Sequence, residues 1–420
     1  MAVRLQFEGI RCFAEPQDAV IRPITLLVGE NSSGKTTFLA LYRIADAIAT
    51  GSVRNPPFNA DPFWLGAYDQ IASYRGGRIG RAKSFSLTIS VADEAGRCSL
   101  RAEYLSRNGQ PSPRAWRLEA GGLAIEANHV VQDSMSLEGP LGKASVPYPR
   151  GLRLEWADSI ANEIEHVRGL PGSSVLSQSD FRLLGDALEH IRREFFLGPY
   201  AFSPIRTSPK RTYDPISAEP SPEGSHVPML LAALSRSAQQ QQWAALQLAL
   251  KEFGSKSGLF DGIEIVDKGR KESDPFQVGV KTGGPTFNLI DVGYGVSQAL
   301  PILVDTLEQA PGFQSFLLQQ PEVHLHPRAQ AELGTFFAKQ AKEKRRFLIE
   351  THSDYLVDRI RMEVRRKLLK PEDVSLLYFE RGKPSATIHN LELDANGSIT
   401  NPPPGFRQFF LKEERDLLGI

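Results

Sequence analysis

The residues Gly29-Glu30-Asn31-Ser32-Ser33-Gly34-Lys35-Thr36 meet every constrained position of the pattern GxxxxGK[ST]. Those residue types suit the binding of a polyphosphate. Gly29 and Gly34 let the backbone curl close to an anion. The N–H groups of Asn31, Ser32 and Ser33, and of Thr37 at the start of a helix, offer it a cradle. Lys35 is placed to reach β- and γ-phosphates, and Thr36 to ligate Mg²⁺. The same residues could make an ordinary Gly/Ser turn, but the flanks argue for the cradle. Ile24–Val28 reads as a buried strand entering the loop. Lys35 to Thr50 reads as a helix with Phe38, Leu41, Ala45 and Ile48 at helical spacing and Gly51 as a C-terminal stop.

A second glycine element, Asp291-Val292-Gly293-Tyr294-Gly295-Val296-Ser297-Gln298, precedes an apolar helix through Ala299–Val304. Gly293 and Gly295 permit close approach of backbone amides, and Ser297 and Gln298 bring side-chain donors to a helix N-terminus. Pro301 is expected in the first turn of that helix, where a missing N–H is tolerated. One chain has little use for two cradles around one γ-phosphate. In a dimer, each protomer can offer this element to the nucleotide on its partner's phosphate loop.

Two further apolar strands end in polar residues. Phe313–Leu318 runs into Gln319-Gln320-Pro321-Glu322-Val323-His324-Leu325-His326-Pro327, and Arg346–Glu350 runs into Thr351-His352-Ser353-Asp354. Ligands of an open parallel sheet gather at the carboxyl ends of its strands. Lys35, Gln320, Glu322 and His352 should therefore converge. His324 and His326 fit a packing or interface role better than a metal pair, since no third ligand stands near them. Arg11 reads either as a residue beside the nucleotide or as a surface arginine. Gln70 reads either as a Mg²⁺- or water-sensing glutamine or as a solvated loop residue. Arg206, Lys210 and Arg211, interleaved with Tyr200, Phe202 and Tyr213, form either a site for phosphates of nucleotide or nucleic acid or a solvated basic loop.

The elements that must hold these residues alternate along 420 residues, enough for two to three domains. Val3-Leu5-Phe7 is an amphipathic strand. Phe85–Val91 alternates with Ser and Thr, and Arg101–Leu105 is expected to pair with it. Residues 110 to 195 give short strand-like pieces, then helices near 156–167 and 181–196. A helical run from Pro228 to Phe253 contains Gln239–Gln242 as an expected turn. Three strands follow at 262–266, 276–280 and 286–290, a helix runs from Pro327 to about Lys342, and another begins after a Ser353 or Asp354 cap. Two strands and a terminal helix close the chain. Lys and Arg total 49, as do Asp and Glu, so no global field draws nucleic acid. Cys12 and Cys98 alone make no disulfide framework or metal pattern. No signal-like segment opens the chain, and no apolar run approaches the ~20 residues of a membrane span. A soluble cytoplasmic protein without membrane contact is expected.

The order of motifs resembles that of the ABC-type ATPases, in the SMC/OLD-like branch of stand-alone bacterial AAA family ATPases. The resemblance rests on Gly29–Thr37, Asp291–Gln298, Pro321–Pro327 and Glu350–Asp354 and extends to the tail Asn401-Pro402-Pro403-Pro404-Gly405-Phe406. It implies an α/β fold: an ABC-type P-loop ATPase head with a mixed central sheet and flanking helices, plus an inserted α+β arm or lid. The implied division is a first ATPase lobe at 1–110 with Walker A, an inserted helical and irregular arm at 111–258, and a second lobe at 259–420. It further implies ATP and Mg²⁺ as cofactors, Asp291–Gln298 as a signature acting in trans, Gln320 at the catalytic-base position, Gln319 at the Mg²⁺-supporting position and His352 as the γ-phosphate switch. The family pattern has acids where this chain has Gln319-Gln320. A glutamine orients a water but accepts no proton at neutral pH. Slow hydrolysis, hydrolysis leaning on Glu322 or Glu350, and ATP as a dimer clamp all remain open.

Relatives in the OLD-like branch often carry a C-terminal Toprim nuclease, and the roughly seventy residues after His352 offer no room or metal-binding pattern for one. The implied role is an ATP-sandwiched dimer that switches a separate effector, a nuclease or toxin, in anti-phage defence. The alternatives are a non-hydrolysing ATP-dependent scaffold and a RecF/SMC-like DNA-repair ATPase.

Overall fold

The computed structural model describes residues 2–53, 55–77, 80–93, 96–128, 134–147, 160, 164, 167–168, 173–195, 198–216, 219–238, 240–308, 315–383, 385–404 and 406. The helix expected near 156–167, apart from 160, 164 and 167, lies outside these residues. So do the expected terminal helix and Gln239.

A six-stranded sheet carries the motifs. Its spatial order is Pro199–Phe202, Ser315–Gln319, Arg346–Glu350, Ile24–Gly29, Val374–Glu380 and Thr387–Leu391. The first five strands are parallel and the last is antiparallel. Helices and a second sheet cover both faces, which explains why the central strands read as unbroken apolar runs. Leu318, Ile349 and Leu26 lie at one level of the register, and Gln319, Glu350 and Leu27 at the next. The polar strand ends therefore emerge side by side.

An eight-stranded antiparallel sheet packs beside it, in the order Gly142–Pro147, Ser134–Gly139, Leu123–Asn128, Gln110–Ala120, Gly96–Arg107, Ser84–Asp93, Ala2–Glu8 and Gln17–Ile21. The expected strands around Val3–Phe7, Phe85–Val91 and Arg101–Leu105 are present and paired. The sheet continues across residue 110. The pieces beyond it are strands of the same sheet, and their alternation carries Trp116, Leu118 and Ile125 inward. On the outer side Arg117 pairs with Glu119, Glu126 and Glu138.

The helix Lys35–Ala49 lies between the two sheets. It is buried nearly all round, with Leu39, Tyr42 and Ile44 as hidden as the expected stripe of Phe38, Leu41, Ala45 and Ile48. Thr50 caps it and Gly51 follows at φ 115°, the left-handed stop that glycine favours. A second helix on the antiparallel sheet, Gln178–Glu194, starts with a reciprocal Ser177–Asp180 capping box.

Beyond the parallel sheet, helices Val227–Arg236 and Gln240–Ser257 pack with a three-stranded antiparallel sheet, Gly262–Asp267, Phe276–Lys281 and Thr286–Asn288. Two expectations are corrected here. Gln240–Gln242 open the second helix instead of making the turn, as the good helix propensity of glutamine allows, and the break falls at Ser237. The helix after the second glycine element begins at Tyr294 and runs to Glu308, so Pro301 sits in its interior. Pro301 leaves the Ser297 carbonyl without its usual donor, and the ring packs against Gly224, where a Cβ would lie 2.4 Å from it. Helices Pro327–Lys342 and Asp354–Arg365 complete the layer, the latter capped by the Ser353 hydroxyl. The mixed α/β architecture expected of an ABC-type ATPase head is the one adopted. Among the described residues no helix is long and apolar enough to cross a membrane.

Candidate functional site

The phosphate-loop glycines are demanded by neighbouring chain. Gly29 has φ 140°, and a Cβ there would lie 2.3 Å from the Phe379 carbonyl oxygen of the adjacent strand. Gly34 has φ 101°, and a Cβ would lie 2.3 Å from the Phe13 ring and 2.7 Å from the Cys12 sulfur. Ser32 also takes a left-handed conformation at φ 60°. The buried Ser33 hydroxyl donates to the Glu30 carbonyl at 2.8 Å, closing the loop on itself. Asn31 and Ser32 are exposed at its crest.

Lys35 is buried, and its ammonium donates to the carbonyls of Gly29 at 3.0 Å and Glu30 at 2.7 Å. Burial lowers its pKa, opposed by the nearby Glu350 and Glu30 carboxylates. Thr36 is exposed, and its hydroxyl donates to Glu350 Oε2 at 2.7 Å. Arg11 lies alongside: its guanidinium reaches the Thr37 hydroxyl at 3.3 Å and the carbonyls of Trp64 and Leu65. That places it next to the first turn of the phosphate-loop helix. Gln70 lies in the same cleft as Arg11 and Trp64, where its Oε1 accepts the Ala67 N–H as a local cap.

Lys35 and Glu350 come together as the sheet topology requires, with Gln319 and Gln320 beside them. Gln319 is buried, and its Nε2 has no hydrogen-bond partner among the described residues. Gln320 takes φ 43°, and its N–H donates to the Glu350 carbonyl at 2.8 Å. This left-handed turn redirects the chain after the strand. Glu322 points to the next turn, where Oε1 accepts the His352 N–H at 2.7 Å and Oε2 has no hydrogen-bond partner among the described residues. Burial pushes the Glu322 and Glu350 carboxyls above the ordinary range. The His352 pKa is lowered, first by burial and then by the charge of Lys35.

Of the histidines of the following turn, expected in a packing or interface role, His324 packs and His326 caps a helix. His324 meets the Tyr294 ring edge-on at 5.2 Å, joining this turn to the second glycine element, and His326 Nδ1 accepts the Arg328 N–H at the start of Pro327–Lys342. In the glycine element itself, a Cβ at Gly293 would meet nothing within 4 Å, whereas one at Gly295 would lie 2.9 Å from the His324 carbonyl. Ser297 donates to the Tyr294 carbonyl at 2.8 Å and is buried. Gln298 is turned inward, where it accepts the Arg206 N–H at 3.2 Å and donates to the Arg206 carbonyl.

The basic loop is corrected. Arg206 is 1% exposed and unable to meet a nucleic-acid phosphate at the surface. Burial lowers its pKa to about 10, with Glu322 opposing, and its Nε and Nη2 lack partners among the described residues. Arg211 is exposed but bound to Asp291 at 2.7 and 3.0 Å. Lys210 is exposed. The alternation of basic and aromatic residues was a poor guide because Tyr200 and Phe202 belong to the sheet core and draw Arg206 in with them. Sequence reasoning also gave Glu350 no defined contact. Its signal was present, an acid ending an apolar strand next to Thr351-His352, but only strand order reveals that this strand adjoins the phosphate-loop strand.

A family model described as "AAA domain, putative AbiEii toxin, Type IV TA system" matches residues 130–358, more than half of the chain. The match takes in Asp291–Gln298, Gln319–Pro327 and Glu350–Asp354. No curated protein matches the sequence. Similar solved structures include an SMC head bound to the C-terminal winged-helix domain of ScpA, at 11% identity and TM-score 0.47, covering 94% of this chain and 98% of that one. The SMC head domain of Thermotoga maritima is similar at 14% identity and TM-score 0.42, covering 93% and 99%. An SMC head with an extended coiled coil bound to a ScpA C-terminal domain, from Pyrococcus furiosus, is similar at 10% identity and TM-score 0.45, covering 100% and 98%.

Proposed function

The chain belongs to this AAA-domain family of ATP-binding ATPases, and from that premise we propose that it is a cytoplasmic ATP-dependent switch. In this reading two copies close on ATP, the phosphate loop of one facing the Gly293–Gln298 element of the other, and the closed dimer signals to a separate nuclease or toxin in anti-phage defence. The observation that carries it is the convergence of Lys35, Thr36, Gln319, Glu350 and His352 at the carboxyl ends of three adjacent parallel strands. The toxin–antitoxin wording of the family description supports a two-component system.

The residues fit ATP and Mg²⁺. Gly29–Gly34 present backbone donors, Lys35 supplies a cation, and the Thr36 hydroxyl beside a carboxylate forms a set of hard oxygen donors. Bound Mg²⁺ would neutralise phosphate charge there, with the Thr36 hydroxyl as its protein ligand. Gln320 and His352, on the turns that follow adjacent strands, would be the residues to orient a water there, and Glu322 accepts the His352 N–H.

A second reading, an ATP-dependent scaffold that does not turn over, is favoured by one observation: Gln319, the last residue of the strand Ser315–Gln319, and Gln320, the next, are both amides. Turnover decides between them. Mg²⁺-dependent phosphate release by the wild type, abolished in Lys35→Ala, supports the ATPase switch. ATP-dependent doubling of mass without phosphate release supports the scaffold. Neither mass change nor release, in a chain that binds ATP, removes both.

A further inference from the structure

The strand Ser315–Gln319 ends without an acid, yet the neighbouring strand supplies one at the same level. Gln319 and Glu350 are register partners across the parallel ladder, and both are buried. The Gln319 amide carries no charge, and its Nε2 makes no hydrogen bond among the described residues. Glu350 Oε2 instead receives the hydroxyl of Thr36, the residue of GxxxxGK[ST] that carries the metal-ligating oxygen. We propose that Glu350 is the carboxylate that supports the divalent cation at the phosphate loop, in place of an acid at position 319. This rests on reading Gly29–Thr36 as a Mg²⁺–nucleotide site.

Of the other acids nearby, Glu30 is exposed and Glu322 is committed elsewhere. Glu322 accepts the His352 N–H and makes no hydrogen bond to Thr36. Among the described residues no group of three or more His, Cys, Asp or Glu could form a dedicated metal cage. A cation here must therefore rely on one carboxylate, the Thr36 hydroxyl, phosphate oxygens and water. That matches the habit of Mg²⁺, which keeps several waters and takes one or two carboxylates plus substrate phosphates. The Gln320 N–H donates to the Glu350 backbone carbonyl and fixes the strand end that carries the carboxylate.

The test measures cation affinity directly, apart from turnover. Free Mn²⁺ is followed by electron paramagnetic resonance as it is titrated into protein with saturating ADP. Nucleotide affinity is measured separately in EDTA with a fluorescent ATP analogue. Glu350→Gln is expected to weaken Mn²⁺ binding about 10–100-fold, the usual cost of removing a group that orients or supports a ligand. Its nucleotide affinity in EDTA is expected to equal or exceed that of the wild type, since a negative charge has left the phosphate site. Gln319→Glu in the Glu350→Gln background is expected to restore Mn²⁺ binding. Glu350→Asp keeps the charge but withdraws the oxygen, and serves should Glu350→Gln fail to fold: weakened Mn²⁺ binding supports the assignment and unchanged binding overturns it. Wild-type Mn²⁺ affinity in Glu350→Gln overturns it with the phosphate-loop reading intact. Absence of nucleotide binding by the wild type, with or without metal, overturns that reading and this assignment together.

Discussion

The Glu322 carboxylate holds the backbone N–H of His352 at 2.7 Å, so the turn after one central strand positions the turn after the next. The other charge acting on Glu322 is the buried Arg206, whose backbone is clamped by Gln298 from the second glycine element. Buried polar groups thus join the second glycine element to the His352 turn. Glu322→Ala removes the acceptor of a buried N–H and the countercharge of a buried guanidinium. It is expected to cost about 3 kcal/mol of stability. Thermal melting checks the stability, and Glu322→Gln, which keeps an acceptor oxygen, should lose less. In a variant that remains folded, phosphate release should fall more than ATP affinity, because the loop that binds phosphate is untouched.

Gly29→Ala should abolish nucleotide binding. The new methyl would lie 2.3 Å from the Phe379 carbonyl oxygen, at a φ that side chains rarely adopt. The strand Val374–Glu380 must shift or the loop must reopen, at a cost of about 2–4 kcal/mol. Equilibrium binding of a fluorescent ATP analogue and a melting curve read the two effects together. Wild-type values for both would show that this backbone approach is dispensable.

Gly293 offers the opposite test. A Cβ there meets nothing within 4 Å, so Gly293→Ala should leave the melting temperature unchanged, and Gly293→Leu, kept only if its melting temperature matches, adds bulk to that open side. If the element faces a partner's nucleotide, the same substitution should abolish any ATP-dependent doubling of mass while leaving ATP binding intact. Light scattering with and without ATP distinguishes this from Gly295→Leu, which clashes with the His324 carbonyl and should destabilise the monomer itself.

The central strands, the phosphate loop and its helix are legible in the sequence because each carries a strong local signal: an apolar run, a spaced glycine pair, a helical stripe. The convergence of Lys35 with His352 follows from the rule that parallel strands share a functional end. What local patterns do not encode is lateral order. Glu350 meets Thr36 only because Arg346–Glu350 lies between Ser315–Gln319 and Ile24–Gly29. The strands beyond residue 110 read as short pieces because only their pairing sets Arg117, Glu119, Glu126 and Glu138 together on the outer face of one sheet. Pro301 and Arg206 misled for a shared reason. Packing against Gly224 tolerates a proline inside a helix, and a core can bury an arginine that composition assigns to the surface.

Arg206 and Arg211 should therefore behave differently although they lie five positions apart. Arg206→Ala deletes a buried side chain beside Glu322 and should lower the melting temperature by several degrees. Arg211→Ala breaks an exposed pair with Asp291 and should leave it unchanged. Differential scanning fluorimetry of both variants beside the wild type checks this.

Asp46, inside the phosphate-loop helix, sets a pH dependence. It is buried, and desolvation pushes its carboxyl up to about 7, with Arg43 pulling the other way. The folded chain therefore keeps this proton up to about pH 7, whereas the unfolded chain releases it near the ordinary 3.8. Between those values the folded state binds more protons, so stability from this group is fully present below 3.8 and is lost as pH rises through 7. The interval corresponds to at most about 4 kcal/mol. Asp46→Asn has nearly the same shape and carries no charge at any pH. It should melt higher than the wild type at pH 8, and the difference should shrink steadily as pH falls toward 5. Chemical denaturation at pH 5, 6.5 and 8 measures the slope. A variant that is less stable than the wild type by the same amount at all three values would show that the carboxylate is satisfied within the folded helix and that burial does not govern its ionisation.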